Sequence, residues 1–118
     1  MDIEKLLSSF KFAGEGLVAI FKSEQNFRIE LIVGAIVVIM MFIFPLTVVE
    51  RVIVGILIVN VLVMEIMNTI LEYLLDLYSK RKNKKFKFLK DAMAGAVLLN
   101  VLVAVVAGLI IFGRYFWE

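Results

Sequence analysis

Residues 52–76 read VIVGILIVNVLVMEIMNTILEYLLD. From Val52 to Leu71 the run is long and apolar enough to cross a hydrocarbon core of about 30 Å at about 1.5 Å per residue. It nonetheless carries Glu65 and Asn68, with Glu72 and Asp76 at its edge. An ionisable side chain at membrane depth costs a few kcal/mol on insertion scales, so its presence is a functional signal. Steps of three, four and four put these residues on one stripe, about 80° wide on a helix. Glu65 then lies roughly 10 Å deeper than Glu72, and Asp76 roughly 6 Å above Glu72. The stripe descends from water into lipid. That suits a reaction between a soluble anionic donor held at the top and a lipid entering from the side, and it equally suits a cation pathway.

Two further apolar stretches flank this one: Leu31 to Val49, interrupted by the only proline, Pro45, and Ala92 to Phe112. With 63% hydrophobic residues and a mean hydropathy of +1.00, the chain belongs in a bilayer. Upstream, Ile3, Leu6, Leu7, Phe10, Ala13, Leu17, Ile20 and Phe21 recur every three or four residues among Glu4, Lys5, Ser8, Lys11 and Glu15. This pattern predicts a helix lying on the membrane surface, and Ser23 is placed to cap the helix that follows. The reading is an all-α membrane protein of one domain, 1–118. It comprises an amphipathic surface helix over 2–22, transmembrane helices over 29–48, 50–77 and 91–113, and a basic loop over 78–90. Pro45 to Arg51 forms a tight helical hairpin. So small a chain buries little as a monomer, which predicts an oligomer.

Lys5, Lys11, Lys22 and Arg28 precede the first span, and Lys80, Arg81, Lys82, Lys84, Lys85, Lys87 and Lys90 lie between the second and third. Only Arg51 and Arg114 remain for the other side. The positive-inside bias places the N-terminus and the basic loop in the cytoplasm and the C-terminus outside, with Tyr115, Phe116 and Trp117 as an interfacial anchor. The basic run, with Phe86 and Phe88 interleaved, fits topology and anionic lipid rather than nucleic acid.

The chain has no cysteine and no histidine. That excludes disulfides, thiol nucleophiles, imidazole metal ligands and Ser-His-Asp catalysis. Chemistry is left to carboxylates, Lys and amides. Lys90 and Asp91 open the third helix at the level of Glu72 and Asp76, where free N–H groups and a lysine favour phosphate; Asp91 alone would serve as a partner for the helix dipole. Ala92, Ala94, Gly95 and Ala96 permit close helix approach. Glu24 and Glu30 flank the start of the first span. Glu24 can join Glu72 in holding Mg²⁺, a cation usually bound by one or two carboxylates plus phosphates, or simply pair with Arg28 one turn on. Asn60 and Asn100, deep in spans two and three, suit an interhelical hydrogen bond.

Glu65-Ile66-Met67-Asn68-Thr69-Ile70-Leu71-Glu72, with Asp76 four residues on, resembles the E-x-x-N-[ST]-x-x-E-x-x-x-D signature of the bacterial diacylglycerol kinase and undecaprenol kinase family. Glu24-Gln25-Asn26-Phe27-Arg28 and Lys90-Asp91-Ala92-Met93-Ala94-Gly95-Ala96-Val97 resemble its other two blocks, in order and spacing. The resemblance covers nearly the whole chain. It implies a homotrimer of three-span subunits in the bacterial cytoplasmic membrane, with active sites at subunit interfaces. It further implies that Glu65 is the general base toward a lipid hydroxyl, that Glu24 and Glu72 hold Mg²⁺ on ATP, and that Lys90 contacts the phosphates. Asn68, Asp76 and Asp91 would line the nucleotide region. Phe12 stands where some members have a nucleotide-facing Tyr, Glu15 where some have Lys, and Arg81-Lys82-Asn83 replaces a more usual acidic-Tyr-His turn. Glu30 and Ala94 join Glu65 as candidate contacts for the lipid. The Glu24 block and the Ala94–Val97 ending look more like the undecaprenol branch, with diacylglycerol as the alternative acceptor. No Gly-rich phosphate loop is present, but carboxylates, a metal and one lysine suffice for phosphoryl transfer. Two other readings of the stripe stand beside the kinase: a cation or proton transporter, and a structural subunit whose acidic face meets a partner's cationic helix.

Overall fold

The computed structural model describes residues 2–78 and 84–117. It consists of four helices: α1 (Ile3–Ser23), α2 (Gln25–Ile43), α3 (Val48–Tyr78) and α4 (Lys84–Trp117). The last three are each long and apolar enough to cross a membrane. Residues Lys80, Arg81, Lys82 and Asn83 of the basic segment lie outside the described residues, as does the side chain of Trp117.

The helix boundaries depart from the sequence reading in three places. Between α1 and α2 it is Glu24, with φ −115° and ψ 112°, that breaks the helix; the Ser23 hydroxyl donates back to the Ile20 carbonyl at 3.4 Å instead of capping α2. Helix α2 begins at Gln25, one residue after the Glu24 start that a Ser23 cap implies and ahead of the expected span over 29–48, and it ends at Ile43. Pro45 excludes the helical conformation from the residue before it, and Phe44 is extended, with φ −82° and ψ 145°. Helix α4 begins at Lys84, so residues 84–90 are its first two turns and not part of a loop. Lys, Phe and Leu are tolerated in helices, no Gly or Pro interrupts them, and the Lys87–Asp91 pair at 2.6 Å supports the turn.

α3 is the central element, packed most extensively on α4 and then on α2, while α1 packs on α2. Its start is a capping box: the Glu50 N–H donates to Thr47 Oγ1 at 3.2 Å, and the Thr47 N–H donates to Glu50 Oε1 at 3.0 Å. Gly34 lets α2 approach α3 closely, since a Cβ there would meet Ile58 Cγ2 at 3.0 Å. By contrast, a Cβ on Gly95 would meet nothing within 4 Å, so Gly95 serves no close approach inside this chain. Asn60 Nδ2 donates to Asn100 Oδ1 at 3.1 Å, the interhelical bond expected of them.

The buried core sits at the hairpin end, where Met41, Leu46, Val54 and Phe112 cluster. Phe44 packs there on Phe112, Tyr115 and Phe116, with ring centroids 5.6, 6.4 and 5.4 Å away. Tyr115 and Phe116 therefore contribute to intramolecular packing, while Phe116 keeps most of its surface exposed. Beside them Arg114 reaches Glu50 Oε1 at 2.9 Å and the Tyr115 hydroxyl donates to the same oxygen at 2.8 Å, tying the end of α4 to the start of α3. Because Glu50 also caps α3, Glu50→Ala is expected to destabilise the fold and lower the denaturant midpoint. Denaturant unfolding in micelles checks this.

Candidate active site

At the opposite end, α3 presents its acidic stripe to α2 and α4. Glu65 is 4% exposed and Thr69 1% exposed, the two buried polar side chains among the described residues. Thr69 Oγ1 is satisfied by the Glu65 carbonyl at 3.1 Å, leaving the Glu65 carboxyl to face its neighbours. Glu24 and Glu72 are near enough to act on it through charge, and Asn68 lies within hydrogen-bonding reach. Asn68 Nδ2 also donates to Glu72 Oε1 at 3.4 Å. Glu30, one α2 turn and a half beyond Glu24, likewise faces Glu65, and its buried Oε2 has no hydrogen-bond partner.

At the top of the stripe, Lys90 Nζ donates to Asp76 Oδ1 at 2.7 Å and senses Glu72 as well. α4 therefore delivers a cation to the rim of an acidic cluster built by α2 and α3. Three expected residues stand apart from it. Asp91 pairs with Lys87 on an exposed face of α4. Phe12 is 65% exposed on α1, and Ala94 is exposed on α4. None of the three walls the cluster within this chain.

Two contacts were not legible beforehand. Tyr73 donates its hydroxyl to Glu24 Oε1 at 3.1 Å. Arg28, in place of an ion pair with Glu24, donates through Nη1 to the carbonyls of Phe21 at 2.7 Å and Lys22 at 2.9 Å, clasping the end of α1. The only sequence signal for Tyr73 is that it adjoins Glu72 in an aliphatic run.

Below the cluster an apolar groove of about 520 Å³ runs between α2, α3 and α4. Glu30 stands among its lining residues with Gly34, Val37, Ile58, Val105 and Phe112. Charged groups at one level and a hydrocarbon-lined channel below them suit a substrate with a polar head and an apolar tail. Among the described residues no three carboxylates converge as a dedicated metal cage. The oxygen donors of Glu24 and Glu72, in range of a common neighbour and each held through one oxygen, suit a hard dication whose remaining ligands come from phosphates.

Such a helical membrane site with carboxylates, one lysine and an apolar groove defines a phosphotransferase of the lipid-kinase type. The chain belongs to the prokaryotic diacylglycerol kinase family, whose model matches residues 11–112. It is 31% identical over 111 residues to an undecaprenol kinase of Bacillus subtilis, covering 94% of this chain and 90% of that protein. It is 33% identical over 104 residues to a diacylglycerol kinase of Synechocystis sp., covering 87% of this chain and 59% of the relative. The enzyme is thus a kinase whose acceptor is an alcohol group. Family membership selects this reading of the stripe over the transporter and the structural subunit.

Proposed function

We propose that this protein transfers the γ-phosphoryl group of ATP to the terminal hydroxyl of undecaprenol, with diacylglycerol as the alternative acceptor. The observation that carries the reading is the buried Glu65 carboxyl, in charge contact with Glu30, the acidic residue that lines the apolar groove. The acceptor's hydrocarbon lies along the groove from Glu30 toward Phe112, with Glu30 bordering its head end and the single hydroxyl hydrogen directed at Glu65. Glu65 takes the proton from that hydroxyl as its oxygen attacks the γ-phosphorus. The bond to the β–γ bridging oxygen breaks, and ADP leaves. Phosphoryl transfer depends on positioning and charge neutralisation more than on covalent help from the protein.

Glu24 and Glu72 would hold Mg²⁺, which when bound neutralises phosphate charge. Asn68 fixes the Glu72 carboxylate. Lys90, held at the rim by Asp76, turns to the phosphates when nucleotide arrives, while Asp91 and Phe12 meet the nucleotide from their exposed positions and Ala94 borders the lipid. The amphipathic pattern of α1, none of whose residues is buried, supports a place on the cytoplasmic membrane surface. The large apolar faces left uncovered on α2 and α4 support a homotrimer in which neighbours close the site. The basic residues support a cytoplasmic N-terminus and an external C-terminus in the bacterial inner membrane.

Acceptor choice is tested by initial rates with undecaprenol and dioleoylglycerol in the same mixed micelles. Undecaprenol has one hydrocarbon chain to lay along the groove and dioleoylglycerol has two, so undecaprenol is expected to react faster, on the order of tenfold, equivalent to about 1.4 kcal/mol in the barrier. Equal turnover would remove the case for a dedicated acceptor.

A further inference from the structure

One side chain at the site has no place in that mechanism. Tyr73 and Glu24 are 49 residues apart in sequence, yet the Tyr73 hydroxyl donates to Glu24 Oε1 at 3.1 Å. Glu24 occupies the N-cap position of α2 with an extended backbone, and its side chain makes no capping hydrogen bond. The free N–H groups and the positive end of the helix dipole attract a carboxylate at that position. The hydrogen bond from Tyr73 is the contact that draws this one toward α3 instead.

The surrounding contacts divide that task. Arg28 pins the backbone of the junction by bridging from α2 to the last carbonyls of α1, at 2.7 and 2.9 Å. It leaves the Glu24 carboxylate alone. On α3, Tyr73 is about 100° round the helix from Glu72. Tyr73 adjoins Glu72 on α3, so its hydrogen bond brings the Glu24 carboxylate to the helix that carries the second carboxylate. Glu24 and Glu72 both act on Glu65 through charge, so the conformation held by Tyr73 is the one that brings Glu24 to the cluster.

We propose that Tyr73 is a positioning residue. Its hydroxyl holds the Glu24 carboxylate off the N-terminus of α2 and beside Glu72, so that the pair meets the divalent cation accompanying the nucleotide. The inference rests on the assignment of Glu24 made under the proposed function. Tyr73→Phe removes the hydroxyl and keeps the ring, which is 54% exposed and so bears little of the packing. In the variant Glu24 relaxes onto its own helix and must be drawn back when the cation binds.

The test is binding, read separately from turnover. Mn²⁺ bound in the presence of a non-hydrolysable ATP analogue is counted by electron paramagnetic resonance in wild type, Tyr73→Phe, Glu24→Ala and the double variant. Tyr73→Phe is expected to weaken Mn²⁺ binding about tenfold, the lower end for partners that orient a metal ligand. In the Glu24→Ala background the same change is expected to have no effect, because the hydroxyl then has nothing to hold. Wild-type binding in Tyr73→Phe with weakened binding in Glu24→Ala would overturn the role of Tyr73 and leave Glu24 as a ligand. Wild-type binding in Glu24→Ala would sink the assignment of Glu24, and this inference with it. An equal loss from Tyr73→Phe in both backgrounds would mean that the hydroxyl acts through another group, which also overturns the proposal.

Discussion

Glu65→Gln is expected to lower lipid phosphorylation by a factor on the order of 10³, within the range assigned to a positioned general base. The substitution keeps the shape of the side chain and its hydrogen-bonding reach to Asn68. It removes the group that, in the proposed mechanism, accepts a proton from the acceptor hydroxyl. Glu65 is 4% exposed, so no bulk water stands ready to take over that duty. It also lies deeper than Lys90 and Asp76, at the level where a lipid hydroxyl can arrive. Nucleotide binding, made higher on the stripe, should change little. The expected pattern is therefore a collapse of kcat at nearly constant KM for ATP, the mark of a contact made in the transition state alone. Glu65→Asp keeps the base but withdraws it by one methylene, and should retain a measurable fraction of the rate. A kinetic comparison of the three proteins at saturating acceptor checks both expectations.

The second large effect concerns Lys90. Its Nζ lies 2.7 Å from Asp76 Oδ1 at the rim of the acidic cluster. An anionic nucleotide approaching Glu24, Glu65 and Glu72 meets three carboxylates, and Lys90 is the nearby charge that offsets them. Lys90→Ala is expected to reduce kcat/KM for ATP on the order of 100-fold, comparable to removing one preorganised donor to a developing negative charge. Here KM should rise as well as kcat fall, since phosphate is held in the ground state too. Lys90→Arg keeps the charge and should recover part of the loss. Steady-state kinetics against ATP, at fixed acceptor and Mg²⁺, separate these outcomes.

Which parts of this site could be read in advance follows from the range of the interactions involved. The stripe from Glu65 to Asp76 was legible because helical periodicity is local and because charges in an aliphatic run are expensive enough to require a reason. The Asn60–Asn100 bond was legible for the same reason: two amides in opposed apolar helices have few other partners. Asp91 stands apart from the stripe within this chain, paired with Lys87, because adjacency in sequence is not adjacency in space on a helix. Lys90 and Asp91 point about 100° apart, so when one turns to the stripe the other turns away. The first two turns of α4 were taken for loop because a run of lysines signals solvation, which says nothing against a helix. Tyr73 and Arg28 were missed because their partners depend on how α1, α2 and α3 meet, and no spacing along the chain encodes a contact across 49 residues. The clasp of Glu50, Arg114 and Tyr115 belongs to the same class.

The account stands most directly on one transfer reaction. The purified protein, reconstituted in liposomes containing undecaprenol and Mg²⁺, is given ATP labelled at the γ-phosphate, with Glu65→Gln in parallel and cation flux followed in the same vesicles. Label moving into the lipid phase with wild type, and failing to do so with Glu65→Gln, is the predicted result. Folded wild-type protein that leaves the label in water with undecaprenol and with diacylglycerol alike, while passing cations across the bilayer, would contradict it.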